Sequence, residues 1–288
     1  MPFSCPRFVT GDFQPVDRFL EAKVYAQALD CLTKAVSDVL VLDASGTKVF
    51  LGKRKVEPQP DWWMIGGRAR PSESAHQAAA RNAKRELGVE FAPRRFQVIG
   101  HYSFAWATRE QEPGSKNGTA DSSTVFSLHL SDDEAGAIKL DPNEYSEARW
   151  WDVGDICTMR GAAVCRGGGD GSETHGRGAA VGGGQKEGAP AKEVAAVSEA
   201  TGSGGSAATI LSTTTKANPS FHPALRQAVL DHLSQQMWRK LSDAISKGSD
   251  DATVATLARQ LAAIEQRASC QDTVYTTQTS SGYIDRTK

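Results

Sequence analysis

The sequence predicts an α/β fold, in which strands and helices alternate along the first half of the chain. Runs rich in Val, Leu and Ile alternate with segments of helical periodicity over the first half of the chain, and glycine-containing turns separate them. Near Gly161 the composition changes to Gly, Ala, Ser and Thr, and two further helical segments follow. The 288 residues, 39% of them hydrophobic, are sufficient for one sizeable core.

The first half of that pattern divides into elements in a simple order. A helical spacing of apolar residues spans 16–32, and two Val/Leu-rich runs flank a turn within 37–55. A short strand, "DWWMIGG", covers 61–67 and ends at paired glycines. A helix then begins at Pro71 and Ser72 and ends at Gly88, which predicts a left-handed C-terminal cap.

The second half predicts two more strands, a long insertion and two helices. The strands lie within 94–107 and 123–130, on either side of a polar loop, and "EARWWDVGDI" ends the ordered run. Segment 161–216 has too little apolar surface to offset its ordering entropy, so we expect disorder there. The predicted organisation is a core at 17–157, a disordered Gly/Ala-rich insertion at 158–217, a helix completing the core at 218–247, an additional helix at 250–268 and a loose tail at 269–288.

Composition favours a cytoplasmic protein and indicates no particular partner. The net charge is −1 and basic residues form no stripe, so we expect no nucleic-acid partner. Apolar runs of signal-peptide or bilayer-spanning length are missing from the sequence, so we expect no membrane partner. The five scattered cysteines lack a CxxC pair, which favours reduced thiols.

The segment 66–88, "GGRARPSESAHQAAARNAKRELG", carries the most specific motif. Gly67, Glu73, Arg81, Glu86 and Gly88 have the spacing of G-x5-E-x7-R-E-U-x-E-E-x-G-U, where U is aliphatic, and so resemble the Nudix box. A glycine turn that leads into a helix can also approach a phosphate closely. An amphipathic alanine-rich helix after a turn is the alternative interpretation.

This resemblance implies an α/β/α sandwich with a mixed sheet. It further implies that the protein hydrolyses nucleoside diphosphates linked to another moiety. It also implies that Glu73, Arg81 and Gly88 are structural, and that Mg²⁺, with Mn²⁺ as substitute, is bound by carboxylates on one helix face. Positions 82 and 85 of that face hold Asn82 and Arg85 instead of glutamates.

The two replacements limit the metal site that the sequence predicts. Each missing carboxylate forfeits on the order of a few kcal/mol at an effective dielectric constant of about 20. Magnesium needs only one or two carboxylates beside substrate phosphates, so a single ion remains feasible. We expect its ligands to be Glu86, the Gly67 carbonyl and Glu144.

The degenerate box is similar to that of the GDP-mannose mannosyl hydrolases. The shared patterns are "LGKR" at 51–54, "W-x-x-x-GGR" at 62–68, "ELG" at 86–88, "RW" at 149–150 and "FHPALR" at 221–226. The resemblance implies a homodimer through helix 16–32 and a nucleotide sugar as substrate.

The same resemblance implies the roles of the remaining site residues. Arg54 and Arg68 would bind the diphosphate, and Asp38 and Tyr145 would contact the substrate, with Glu86, Arg68 and Glu144 as the catalytic set. Tyr145 replaces the catalytic histidine of that family, and a tyrosine is a poor base at neutral pH. Whether water attacks phosphorus or a sugar carbon therefore stays open. The alternative function is a non-catalytic domain that binds a nucleotide or a protein partner.

Overall fold

A computed structural model describes residues 5–16, 18–112, 117–158 and 221–268, and the backbone alone of 276–279 and 282–285. The insertion predicted to be disordered lies outside the described residues. The helices are α1 (Ala22–Cys31), α2 (Ala75–Leu87), α3 (Asp132–Gly136), α4 (Val153–Thr158), α5 (Pro223–Ser246) and α6 (Asp251–Ala268). The strands are β1 (Thr33–Leu42), β2 (Lys48–Arg54), β3 (Trp62–Trp63), β4 (Ile65–Arg68), β5 (Gln97–Trp106), β6 (Thr119–His129), β7 (Tyr145–Asp152), β8 (Thr276–Thr279) and β9 (Gly282–Asp285).

The main sheet is mixed, as the sequence predicts. Its strand order is β3-β2-β1-β6-β5, with β4 paired to β1 and β7 paired to β2. Strand β1 runs parallel to β6 over its whole length, and the other pairings in this sheet are antiparallel. Strand β1 is central because it has neighbours along both edges, and its residues 37–42 are buried.

Successive residues of β1 pack into two different layers. Leu40 and Leu42 belong to the core cluster that includes Leu225 of α5, whereas Val39 and Val41 belong to the cluster beneath α2. This follows from the two-residue period of a strand, which sends alternate side chains to opposite faces. The predicted α/β/α sandwich is therefore confirmed.

Helix α1 is shorter than the sequence predicts. It begins at Ala22 rather than at residue 16, and the buried residues on it are Ala26 and Leu29. The Phe19 side chain, one of the apolar residues in the predicted helical spacing, is 88% exposed. The apolar spacing at 16–21 therefore does not reflect packing against this domain.

Two other element boundaries differ from the prediction. The single strand expected at 61–67 is two strands, because β3 pairs with β2 while β4 pairs with β1. Helix α2 begins at Ala75 instead of residue 71, because Ser74 and Gln77 form a reciprocal capping box that fixes the N-terminus there. The Gly88 cap is as predicted, with φ of 72°.

The polar stretch before residue 123 and the C-terminal tail also differ. Strand β6 begins at Thr119, so part of the predicted polar loop is strand. In the tail predicted to be loose, β8 and β9 pair antiparallel. The tail sequence "VYTTQTSSGYID" is rich in β-branched and aromatic residues, which favour strands.

Candidate active site

Strand β4 brings Gly66 against β1 at a position where only glycine fits. A Cβ on Gly66 would lie 2.2 Å from Oδ1 of Asp38 and 2.7 Å from the carbonyl oxygen of Ser37. Gly66 also pairs with Asp38 across the two strands. The close approach places the β4 backbone and the Asp38 carboxylate side by side.

A salt bridge braces the loop after β4 against α2. The Nη2 atom of Arg81 donates to Oε2 of Glu73 at 2.8 Å and to the carbonyl oxygen of Arg68 at 2.8 Å. Glu73 also accepts from the backbone N–H of Arg70 at 2.9 Å. Glu73 and Arg81 thus make the bracing contact that the resemblance implies for them.

Glu86 lies inside the domain with hydrogen-bond donors on both of its oxygens. Its side chain is 1% exposed. Oε2 accepts from the Tyr145 hydroxyl and from the Gly66 N–H, the latter at 3.3 Å, while Oε1 accepts from Arg85. Burial raises the pKa of Glu86, although the hydrogen bonds from Tyr145 and Arg85 oppose that shift.

The two replaced box positions both donate to the glycine carbonyls of β4. Nδ2 of Asn82 donates to the Gly67 carbonyl oxygen at 2.8 Å, and Oδ1 of Asn82 accepts from Arg81 at 2.8 Å. Nη2 of Arg85 donates to the Gly66 carbonyl oxygen at 3.3 Å. Asn82 and Arg85 are therefore partners of the same strand, although one is buried and the other half-exposed.

These contacts do not fit a magnesium ion bound by Gly67, Glu86 and Glu144. Both Glu86 oxygens and the Gly67 carbonyl already accept hydrogen bonds, and the Glu144 carboxylate pairs with Arg54 at 3.6 Å. Among residues that the structure describes, no group of three or more His, Cys, Asp or Glu side chains could hold a metal ion. The predicted ligand set is thus not arranged as a metal site.

A cavity of about 210 Å³ lies beside the glycines, and it brings several predicted residues together. Glu86 and Glu144 are not among its lining residues. His101 and His129 do not line it either. The predicted site residues that line this cavity are Asp38, Arg54, Gly67, Arg68 and Tyr145.

Asp38 is the buried acid of this cavity. Its side chain accepts a hydrogen bond from Oγ of Ser123 at 2.6 Å. Burial raises the pKa of Asp38 to about 7, with a smaller opposing effect from the Ser123 hydrogen bond. The Asp38 carboxyl group therefore changes charge close to neutral pH. Tyr145 behaves differently, because burial and the Glu86 charge raise its pKa far above the ordinary value.

A polar patch that the sequence analysis did not predict also lines the cavity. Asp121 pairs with Nζ of Lys34 at 3.1 Å and accepts from Nε1 of Trp106 at 2.8 Å. Among the residues that the structure describes, none forms a hydrogen bond with the buried Oγ1 of Thr119. Polar residues at alternate positions 119, 121 and 123 would have indicated a strand facing a polar cavity, had β6 been extended to residue 119.

Aromatic rings form the adjoining wall. Phe104 and Trp106 stack with ring centroids 5.1 Å apart, and Trp63 meets Trp106 edge-on at 5.6 Å. All three line the cavity. Arg68 also lines the cavity, and its guanidinium carbon is 5.2 Å from the ring centroid of Tyr25. The cavity thus combines basic groups, buried acids and aromatic surface.

The comparisons with known proteins agree with this architecture. Residues 32–164 match the family model described as NUDIX domain. This segment, slightly less than half of the chain, is similar to that family. A comparison with curated proteins gives no match.

Several solved structures are similar to this chain at low identity. The MutT protein from Methanosarcina mazei Go1 is 20% identical, with a TM-score of 0.35, over 44% of this chain and 83% of that chain. The MutT NUDIX hydrolase from Burkholderia pseudomallei is 18% identical, with a TM-score of 0.34, over 43% and 85%. The E. coli dihydroneopterin triphosphate pyrophosphohydrolase is 20% identical, with a TM-score of 0.33, over 43% and 84%.

Proposed function

We propose that the protein hydrolyses a nucleoside diphosphate linked to a sugar, with GDP-mannose among the first candidates. The observation that carries this proposal is the cavity beside Gly66 and Gly67, because cationic groups, acids and aromatic rings line it together. Few convergent polar groups within an aromatic cavity are typical of small-molecule sites.

The two arginines Arg54 and Arg68 suit the diphosphate. Arg68 is exposed and borders the glycines, and Arg54 is held by Glu144 at 3.6 Å, a distance that leaves its guanidinium able to take a phosphate oxygen instead. Planar guanidinium groups bind phosphate through paired hydrogen bonds. Arg54 and Arg68 are therefore the proposed phosphate-binding pair.

The acids Asp38 and Asp121 suit a group rich in hydroxyls, because carboxylates accept hydrogen bonds from hydroxyl donors. Oγ1 of Thr119, which has no hydrogen-bond partner among the described residues, can both donate and accept. The faces of Trp63 and Trp106 supply apolar surface next to Asp121. A sugar has both hydroxyl groups and apolar C–H surface. We therefore place the sugar, rather than the diphosphate, beside Asp121 and Trp106.

Asp38 is the chain's own candidate for the proton transfer. It lines the cavity together with Arg54 and Arg68, and its pKa of about 7 is close to the value that serves a general base at neutral pH. In this proposal Asp38 takes the proton from the attacking water while Arg54 and Arg68 stabilise charge on the phosphates. The assignment of Glu86 and Glu144 to catalysis stays a prediction.

A substrate panel tests the proposal. Nucleotide sugars, dinucleoside polyphosphates and free nucleoside triphosphates are incubated with the purified chain in Mg²⁺, in Mn²⁺ and in a chelator, and products are separated by chromatography. Preferential turnover of a nucleotide sugar supports the proposal, whereas turnover of another class replaces the substrate. Tight binding without turnover of any compound would favour the non-catalytic binding domain.

The bond that breaks is read from the same reaction in ¹⁸O-labelled water. Label in a phosphate product means attack at phosphorus, and label on the free sugar means attack at carbon. The predicted cytoplasmic location and the homodimer stay predictions. No helix among the described residues is long and apolar enough to cross a membrane.

A further inference from the structure

One guanidinium nitrogen bridges two oxygen atoms at the glycine end of α2. Nη2 of Arg85 contacts the Gly66 carbonyl oxygen at 3.3 Å and also forms an ion pair with Oε1 of Glu86. A backbone carbonyl and a buried carboxylate on facing elements are the kinds of oxygen that hard divalent cations take as ligands. A cationic group of the protein therefore stands between two oxygens of the metal-ligand type.

The neighbouring oxygens are saturated in the same way. Oε2 of Glu86 accepts from the Tyr145 hydroxyl and the Gly66 N–H, and the Gly67 carbonyl accepts from the buried amide of Asn82. Asn82 is 0% exposed, so its amide has no solvent to exchange with. An entering ion would have to displace several buried donors rather than bound water.

The charge balance leads to the same result. A guanidinium stays protonated at all ordinary pH values, so Arg85 keeps its positive charge next to Glu86. A dication bound at Oε1 would lie beside that charge at contact distance, and their repulsion is weakly screened near a buried carboxylate. Removal of Arg85 from Glu86 would in turn leave the carboxylate buried without its cation.

We propose that Arg85 takes the place of a divalent metal ion at Glu86, so that the NUDIX box of this chain binds no metal on its own. Asn82 completes the substitution, because it occupies the Gly67 carbonyl. The two residues that depart from the box pattern, Asn82 and Arg85, then form one arrangement. The helix supplies hydrogen-bond donors where the pattern has carboxylates. The inference deepens the proposed function by describing the same site without its metal.

The charge of residue 85 is the quantity to change. Arg85→Glu puts a second carboxylate beside Glu86 and removes the guanidinium. Lys84→Glu is the matched control, since it makes the same change of charge one position earlier, where the Lys84 side chain is exposed and pairs with Glu90. Binding of Mn²⁺ is followed by electron paramagnetic resonance on the full chain without nucleotide, and circular dichroism verifies that each variant is folded.

The expected result separates the three proteins. Wild type and Lys84→Glu bind Mn²⁺ only weakly, while Arg85→Glu binds it at least about tenfold more tightly. If Arg85→Glu fails to fold, Arg85→Gln, which keeps a hydrogen-bond donor but no charge, is expected to gain binding instead. Wild-type binding as tight as that of the variant, or no gain in either Arg85 variant, overturns the proposal.

The melting temperature provides a second readout that does not depend on turnover. Magnesium should leave the melting temperature of wild type unchanged and raise that of Arg85→Glu, because a ligand that binds the native state stabilises it. Failure of the substrate panel would refute the proposed function but leave both metal measurements standing. Conversely, a metal bound at Glu86 in wild type would overturn this inference without affecting the choice of substrate.

Discussion

The Tyr145 hydroxyl donates a hydrogen bond to Oε2 of Glu86, and this contact joins β7 to α2 inside the domain. The two residues are 59 positions apart, and both are buried. A carboxylate with 1% exposure needs such donors, because an unsatisfied buried charge is costly. Tyr145 thus stabilises the fold at the very position where the resemblance places a substrate contact.

Tyr145→Phe should lower the free energy of unfolding by about 1–3 kcal/mol, since it removes a donor to a buried carboxylate. The pKa of Glu86 is already raised by burial, and loss of the hydrogen bond raises it further. A raised carboxyl pKa makes the native state less stable as pH increases, so the loss should be larger at pH 8 than at pH 4. Denaturant unfolding at both pH values measures it.

The control for this experiment is Tyr25→Phe, whose ring lies against Arg68 outside the Glu86 cluster. That substitution should change stability by less than about 0.5 kcal/mol at either pH. An equal loss at pH 4 and pH 8 for Tyr145→Phe would mean that the charge of Glu86 is not what the hydroxyl stabilises.

Arg68→Ala and Arg54→Ala should each weaken binding of a nucleoside diphosphate derivative by about 10- to 100-fold, the effect of one lost charged hydrogen bond. Arg94→Ala is the control, because Arg94 is exposed and does not line the cavity. Isothermal titration calorimetry with the best substrate of the panel measures all three. Equal affinity for Arg68→Ala and Arg94→Ala would remove Arg68 from the site.

The sequence predicts the C-terminus of α2 and its bracing contacts well, because the signals there are local, although it places the N-terminus of α2 four residues too early. Glu73 and Arg81 are eight positions apart, about two helical turns, and the Gly88 cap is a property of one residue. The alternation of Val39 and Leu40 between the two layers follows from the strand period. Such features depend on nearest neighbours along the chain.

The contacts of Arg85 and the polar patch at Thr119 and Asp121 could not be predicted in that way. Adjacent residues of a helix do not normally face each other, so the pairing of Arg85 with Glu86 depends on the position of Gly66 in another element. Asp121 and Thr119 are polar residues that point into a polar cavity, and a search for apolar alternation treats them as loop. Both features are tertiary.

Asp38→Asn should change how stability depends on pH. The pKa of Asp38 rises from 3.8 to about 7 on folding, so the native state holds more protons between these values and loses stability as pH rises through that range. The amide removes this loss and can still accept from Ser123. The variant should be more stable than wild type at pH 8 by on the order of 2–4 kcal/mol.

Unfolding midpoints from pH 4 to pH 8 test this prediction, with Asp12→Asn on the exposed N-terminal segment as control. Substrate turnover should fall in Asp38→Asn although the protein is more stable, which separates the proton-transfer role from a structural one. A variant that is less stable than wild type at pH 8 would show that the Asp38 charge is favourable where it lies.

Helix α5 follows the long insertion, and we propose that it completes the domain, within the predicted boundaries of 218–247. Its residues Leu225 and Val229 are 0% and 1% exposed and belong to the same core cluster as Leu40 of β1.

Leu225→Ala should therefore lower the free energy of unfolding by about 2–5 kcal/mol, through lost burial and the cavity that remains. Ile245→Ala, on the same helix but 59% exposed at Ile245, should cost less than about 0.5 kcal/mol. Denaturant unfolding followed by the fluorescence of the core tryptophans compares the two variants. If Leu225→Ala unfolds like wild type, or if α5 melts in a separate transition while the sheet stays folded, the helix is an independent unit and the core ends before the insertion.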